Sequence, residues 1–157
     1  MQSLVISRLD YANSLLIGAN KTCLKRLQIV QNSAARLITR ISYRDHITPI
    51  LFQLHWLPIE YRIRYKALLM CFNCLMGTAP EYLSALISPY QPSRTLRSTH
   101  QILLRVPRTN TKYGDHSFEV FTPREWNKLP VSIRSLTNLS TFKSHLKTFL
   151  FKECYIC

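Results

Sequence analysis

The sequence predicts a mainly α fold: a small helical domain around a central apolar helix, with a short β-hairpin in the C-terminal half. Three observations carry this. Apolar side chains recur at steps of three and four from Leu24 to Ile41, which marks one face of a helix. Residues Ile59 to Met76 are apolar around most of the circumference and stop at Gly77, the pattern of a helix with neighbours on several sides. The steps Thr48-Pro49 and Leu57-Pro58 punctuate the chain just before two of these elements, where proline opens a helix without breaking it.

Taken in order, Leu4 to Leu16 reads as a helix with Leu9, Ala12, Leu15 and Leu16 on one side, Asp10 facing outward and Gly18 ending it. The next helix starts near Asn20 or Thr22. Its stripe is Leu24, Leu27, Val30, Ala34, Leu37 and Ile41, and Lys25, Gln28, Asn32, Arg36 and Arg40 lie on the other side. Thr48 is the expected N-cap of a short helix with Pro49 at its first position. In the central helix Ile63, Ala67, Leu68, Cys71 and Leu75 point inward, and the first turns, with Arg62, Arg64 and Lys66, are the part expected to reach water. Pro80 to Ile87 makes a further short helix, stopped by Ser88-Pro89.

Beyond Ser88 the composition changes. Ile102, Leu104 and Val106 alternate with their neighbours and predict a strand, Ser117 to Phe121 its antiparallel partner, and Arg108 to Lys112 the hairpin loop. Thr122-Pro123-Arg124-Glu125 has the form of a capping box opening a helix through Trp126. Ser140 to Phe151 is a last amphipathic helix, with Phe142, Leu146, Phe149 and Leu150 inward and Lys143, Ser144 and Lys147 outward. Trp56 and Trp126, each beside a leucine-proline step, read as core anchors. The expected organisation is a helical subdomain over 1–90 and a basic loop/hairpin plus C-terminal helices over 91–157, joined in one compact domain.

At 157 residues and 46% hydrophobic content the chain has the core-forming capacity of one domain, which excludes disorder throughout. Lysine and arginine number 21 against 8 acidic residues, for a net charge of +13. With only 18% of residues charged, the excess comes from missing acids and selects a polyanionic partner. No stretch approaches the roughly 18 to 20 apolar residues of a spanning helix, so no membrane is expected. The N-terminus lacks the basic and apolar regions of a signal peptide, so the expected location is intracellular, nuclear or cytoplasmic, and not secreted.

Chemistry-bearing constellations are sparse. The five cysteines, at 23, 71, 74, 154 and 157, form two Cys-x-x-Cys spacings. Cys71 and Cys74 sit inside an apolar helical run with no glycine or proline to shape a metal knuckle, so they read as small core hydrophobes and no metal site is expected. Asp10, Asp45 and Asp115 stand apart from one another, without the paired carboxylates that two-metal phosphoryl chemistry requires. Glycines 18, 77 and 114 are isolated, which rules out a glycine-rich phosphate loop. No catalytic residue, cofactor or small-molecule substrate is expected.

The strongest site signal is charge. Residues 91–114 carry Arg94, Arg97, Arg105, Arg108 and Lys112 and no acid, in a stretch expected to be loop and hairpin. These five residues are the candidate nucleic-acid contacts, with Lys25, Arg36 and Arg40 on the second helix as a further surface. Tyr43, Tyr90 and Tyr113, near Arg44, Arg94 and Lys112, are the candidates for base stacking.

Several motifs occur in a fixed order: Leu9-Asp10-Tyr11-Ala12-Asn13-Ser14-Leu15-Leu16, Val30-Gln31-Asn32-Ser33-Ala34-Ala35-Arg36-Leu37, and Asp45-His46-Ile47-Thr48-Pro49 through Leu54-His55-Trp56-Leu57-Pro58. Tyr113-Gly114-Asp115-His116-Ser117-Phe118 and Pro123-Arg124-Glu125-Trp126-Asn127-Lys128-Leu129-Pro130 complete the series. From about Ser3 to Phe151 the chain thereby resembles the extreme C-terminal region of the polymerase polyprotein of LINE-type, non-LTR retrotransposons, of the chicken-repeat and jockey-like groups. The resemblance implies a non-catalytic tail, because endonuclease and reverse-transcriptase chemistry lies upstream in those polyproteins. It also implies an accessory role in holding template RNA or target DNA. The alternatives are a helical module docking on the upstream polymerase domain, and a transposon-derived remnant without an independent role.

Overall fold

A computed structural model of the chain describes residues 2–91 and 102–156. The protein is mainly helical, as the sequence predicts. Nine α-helices occur among the described residues: α1 (Gln2–Asp10), α2 (Lys21–Thr39), α3 (Thr48–Gln53), α4 (Ile59–Leu75), α5 (Glu81–Ser84), α6 (Lys112–Asp115), α7 (Phe118–Lys128), α8 (Val131–Arg134) and α9 (Leu139–Tyr155). They fall into two compact units, Met1–Arg64 with Thr148–Cys157, and Tyr65–Lys147. The boundary expected near residue 90 lies inside the second unit. Helices α4 and α9 each contribute residues to both.

In the first unit, the segment expected as one helix over Leu4–Leu16 breaks at Asp10. Ala12 adopts a left-handed conformation (φ 50°) and Asn13–Leu16 forms a single 3-10 turn. At the break Asp10, still partly exposed, is tied to Arg62: its carboxylate accepts from Arg62 Nε at 2.8 Å and from Arg62 Nη2 at 2.5 Å, a two-pronged pair linking α1 to α4. Asn13 is buried beneath and donates to Asp10 Oδ1 at 3.4 Å.

Helix α2 starts where expected, with Asn20 as N-cap accepting from the Thr22 amide at 3.1 Å. Its buried side is rotated from the expected stripe. Ala34 and Ala35 pack with Leu51 and Trp56, against Val5, Ile6, Ile38, Ile47, Ile50, Leu54 and Tyr155, while Val30 and Leu37 are exposed. Small alanines admit close neighbours, and Gln31, fully buried, fixes the orientation by donating to the Leu57 carbonyl at 2.9 Å.

Gln28, expected in water, reaches the same junction: its Oε1 accepts from the Ile59 amide at 2.9 Å. That amide is one of the first-turn donors that no helical carbonyl can satisfy, so Gln28 caps α4 from another helix. Thr48 proves to be the first residue of α3, and the capping position falls to Ile47 without a side-chain bond.

Tyr155 closes the first unit from the far end of α9. Its hydroxyl donates to the Trp56 carbonyl at 2.6 Å, and Phe151 packs on Phe52, His55 and Tyr155 at centroid distances of 5.2, 5.6 and 4.8 Å. The arginines of the α4 first turns are not left to water. Arg62 pairs with Asp10, and Arg64 pairs with Glu153 of α9 at 2.6 Å.

The second unit is built on the remainder of α4, where Ala67, Leu68, Cys71, Phe72 and Cys74 are buried and Leu75 is half-buried. Phe142 stacks on Phe72 at 4.2 Å and lies 5.8 Å from Trp126, joining α4, α9 and α7. Helix α4 ends at Gly77 (φ 68°), with the Gly77 amide bonded to the Cys74 carbonyl and the Thr78 amide to that of Asn73. A Cβ at Gly77 would meet nothing within 4 Å, so the glycine is required by its backbone angle and not by space. At α9, Asn138 Oδ1 caps the amides of Ser140 and Thr141.

Leu68→Ala should destabilise the fold by about 2 to 5 kcal/mol through the cavity it leaves. Gln31→Leu should cost about 1 to 3 kcal/mol, because the buried Leu57 carbonyl loses its donor. Urea unfolding followed by circular dichroism measures both.

Candidate nucleic-acid interface

The predicted hairpin is absent among the described residues, and its two halves have different fates. The Ile102–Arg105 stretch is extended, but its partner is Ser88–Tyr90: the Tyr90 amide donates to the Leu103 carbonyl at 2.8 Å and the Arg105 amide to that of Ser88 at 2.9 Å, around a single antiparallel bridge between Pro89 and Leu104. Ser117 to Phe121 instead opens α7, with Ser117 at the capping position and Pro123 inside the helix. The helical register wins because Val120, Pro123 and Trp126, three residues apart, all fall on the buried side. The capping-box reading of Thr122–Glu125 is thereby displaced.

On its other edge the extended stretch is held by side chains. Asn127 accepts from the Leu104 amide at 2.9 Å and donates to the Leu104 carbonyl at 2.8 Å, imitating a neighbouring strand. Trp126 Nε1 donates to the Ile102 carbonyl at 2.9 Å. Arg134, buried, donates to the carbonyls of Leu129 at 2.9 Å and Ile102 at 3.2 Å, and burial lowers its pKa. Leu104 is thereby fixed in the core while Arg105 points outward.

The chain then turns tightly over Thr109–His116. Thr111 Oγ1 accepts from the Gly114 amide at 3.1 Å, and the Thr109 hydroxyl donates to Asp115 Oδ1 at 2.6 Å. A Cβ on Gly114 would lie 3.0 Å from the Thr109 Cβ and 3.1 Å from Thr111 Oγ1, so any side chain there would crowd the two threonines that shape the turn. The Thr109 hydroxyl, aided by Arg124 at 3.4 Å, holds the Asp115 carboxyl below the usual carboxylate range. The turn presents Arg108, Lys112 and Tyr113 to solvent, Tyr113 with 92% of its surface accessible. Among the described residues, Arg105, Arg108 and Lys112 enter no ion pair: the paired carboxylates are Asp10, Glu153, Asp115 and Glu125, engaged by Arg62, Arg64, Arg124 and Lys128. Arg94 and Arg97 lie outside the described residues. Tyr90 is exposed beside the bridge.

In the first unit, Lys25 on α2 and Arg40, the residue just past its end, are exposed. Arg36 is not: it folds onto the following loop, donating to the carbonyls of Ser42 and, at 2.7 Å, Asp45, with its guanidinium carbon 5.4 Å from the centre of the Tyr43 ring. Arg26 and Arg44, also exposed, add to the basic surface and had only their charge to mark them in the sequence.

Other chemistry is limited by what the groups already do. Asp10 and Asp115 are ion-paired, and Asp45 accepts from the Ser42 amide at 3.1 Å. No group of three or more metal-ligating side chains occurs among the described residues. Burial above all raises the thiol pKa values of Cys71 and Cys74, keeping both protonated at neutral pH. No helix of the described residues is long and apolar enough to cross a membrane. No family model, curated protein or solved structure matches the chain.

A thiol-reactive probe should label Cys23 in the native protein and Cys71 only after unfolding, as mass spectrometry of labelled peptides will show. The carboxyl of Asp115 should titrate below the ordinary carboxylate range and move upward in Thr109→Val, an NMR measurement. Because its folded pKa is the lower one, the associated stability is present at neutral pH and fades as pH falls through that pKa.

Proposed function

We propose that this chain is a non-catalytic, nucleic-acid-binding domain that holds RNA or single-stranded DNA with little sequence preference, as an accessory tail of the retrotransposon-polymerase type that its motifs resemble. The observation that supports it most is the exposed, unpaired state of Arg105, Arg108 and Lys112, on an extended stretch and turn braced by Asn127, Trp126 and Thr109. Cations held outward on a fixed backbone suit phosphate contact, which positions a strand without reading it. Arg94 and Arg97 extend the same basic segment, and Lys25 and Arg40 supply the second surface.

A second reading, a module that docks on an upstream polymerase domain, draws support from the first helix and the turn after it. There Leu4 and Leu15 are exposed, Leu15 with 83% of its surface accessible. Isolated exposed leucines are common on surfaces, so charge ranks above them.

With about five phosphates neutralised, log affinity should fall against log salt with a slope near −3.5 for a single strand. Replacing Arg94, Arg97, Arg105, Arg108 and Lys112 by alanine should flatten that slope and weaken binding, while circular dichroism stays unchanged. Unaltered affinity and slope in that variant would reduce the segment to a solvated surface and favour the docking module.

A further inference from the structure

Of the three tyrosines expected to meet bases, Tyr43 is the one with a cationic support among the described residues. Its ring keeps 89% of its surface accessible, yet the loop carrying it is closed from several directions. The Asp45 amide donates to the Ser42 carbonyl at 3.3 Å, the Ser42 amide to Asp45 Oδ2 at 3.1 Å, and the Arg44 amide to Ser42 Oγ at 3.3 Å. Arg36 donates to carbonyls on both sides of Tyr43 in the chain, those of Ser42 and Asp45, and its guanidinium lies against the ring. Arg40, in a left-handed conformation (φ 56°) at the end of α2, and Arg44 are exposed on either side of the tyrosine in sequence.

The ring fills no core, and Arg36 lies over it while bonding the loop on both sides. The bracing has a functional counterpart: a ring already ordered loses little freedom when a planar ligand stacks on it. We infer that the open face of Tyr43 is a stacking platform for one unpaired nucleobase of a single-stranded nucleic acid, with Arg36 as the brace and Arg40 and Arg44 as neighbouring phosphate contacts. The inference rests on the nucleic-acid reading and adds to it a base-contacting site separate from the 91–114 segment. Stacking tolerates every base, because each has a π face, so the platform adds affinity for unpaired strands without sequence readout.

The test compares the full chain with Tyr43→Ala and Tyr43→Phe, using fluorescence anisotropy on two labelled strands of roughly a dozen nucleotides. One strand is oligodeoxythymidine and the other carries abasic sites throughout. The wild-type protein should prefer the thymidine strand. Tyr43→Ala should lose about 5- to 150-fold in affinity for it, the range expected for one stacked base, with an unchanged salt slope because no charge is removed. The same variant should bind the abasic strand as the wild type does, and Tyr43→Phe should retain wild-type affinity for thymidine. Equal wild-type affinity for both strands, or a Tyr43→Ala loss that is the same on both, overturns the platform while leaving phosphate binding in place. Failure of the wild type to bind either strand overturns the nucleic-acid reading itself.

Discussion

The junction between α2 and α4 is the constraint on which the first unit depends. Pro58 has no amide hydrogen, and the Leu57 carbonyl and Ile59 amide on either side of it are left without helical partners at a site where Leu57 and Ile59 are buried. Gln31 supplies the donor and Gln28 the acceptor, and Gln28 Nε2 in turn donates to Gln31 Oε1 at 3.0 Å and Asn32 Oδ1 at 2.8 Å. A polar set of this kind stabilises only when every member is satisfied, so it specifies one register of α2 against the start of α4 and penalises the others. Asp10 with Arg62 adds a second fixed point on α4.

This accounts for much of the motif content. In Val30–Leu37, Gln31 bonds the junction, Ala34 and Ala35 pack with Leu51 and Trp56, and Arg36 closes the next loop. In Pro123–Pro130, Trp126 and Asn127 grip the extended stretch and Leu129 is buried. The residues of these motifs are in large part architectural, and the candidate binding residues Arg105, Arg108, Lys25 and Arg40 lie between the motifs.

The helices were legible where a local rule decides them. Asn20 capping α2, the apolar circumference of α4 and the Gly77 stop each depend on residues within a few positions of one another. What escaped were decisions made by distant partners. Asp10 at the break is tied to Arg62, the rotated α2 to the Leu57 carbonyl, and the extended stretch near Leu104 to Asn127, each leaving no periodic trace. Ser117–Phe121 failed differently: five residues of alternation are too few to separate strand from helix, and burial of Val120 with Trp126 settled it. At the candidate interface, charge located the basic residues, but not that Arg36 turns back onto its own loop.

The path of α9 has a consequence for the order of events during synthesis. The first unit draws on residues 148–157, so Trp56 and Phe52 emerge from the ribosome well before Tyr155 and Phe151, their partners, exist. At about 5 to 20 residues per second the interval is on the order of ten seconds. Through it the nascent N-terminal half carries an uncovered aromatic face.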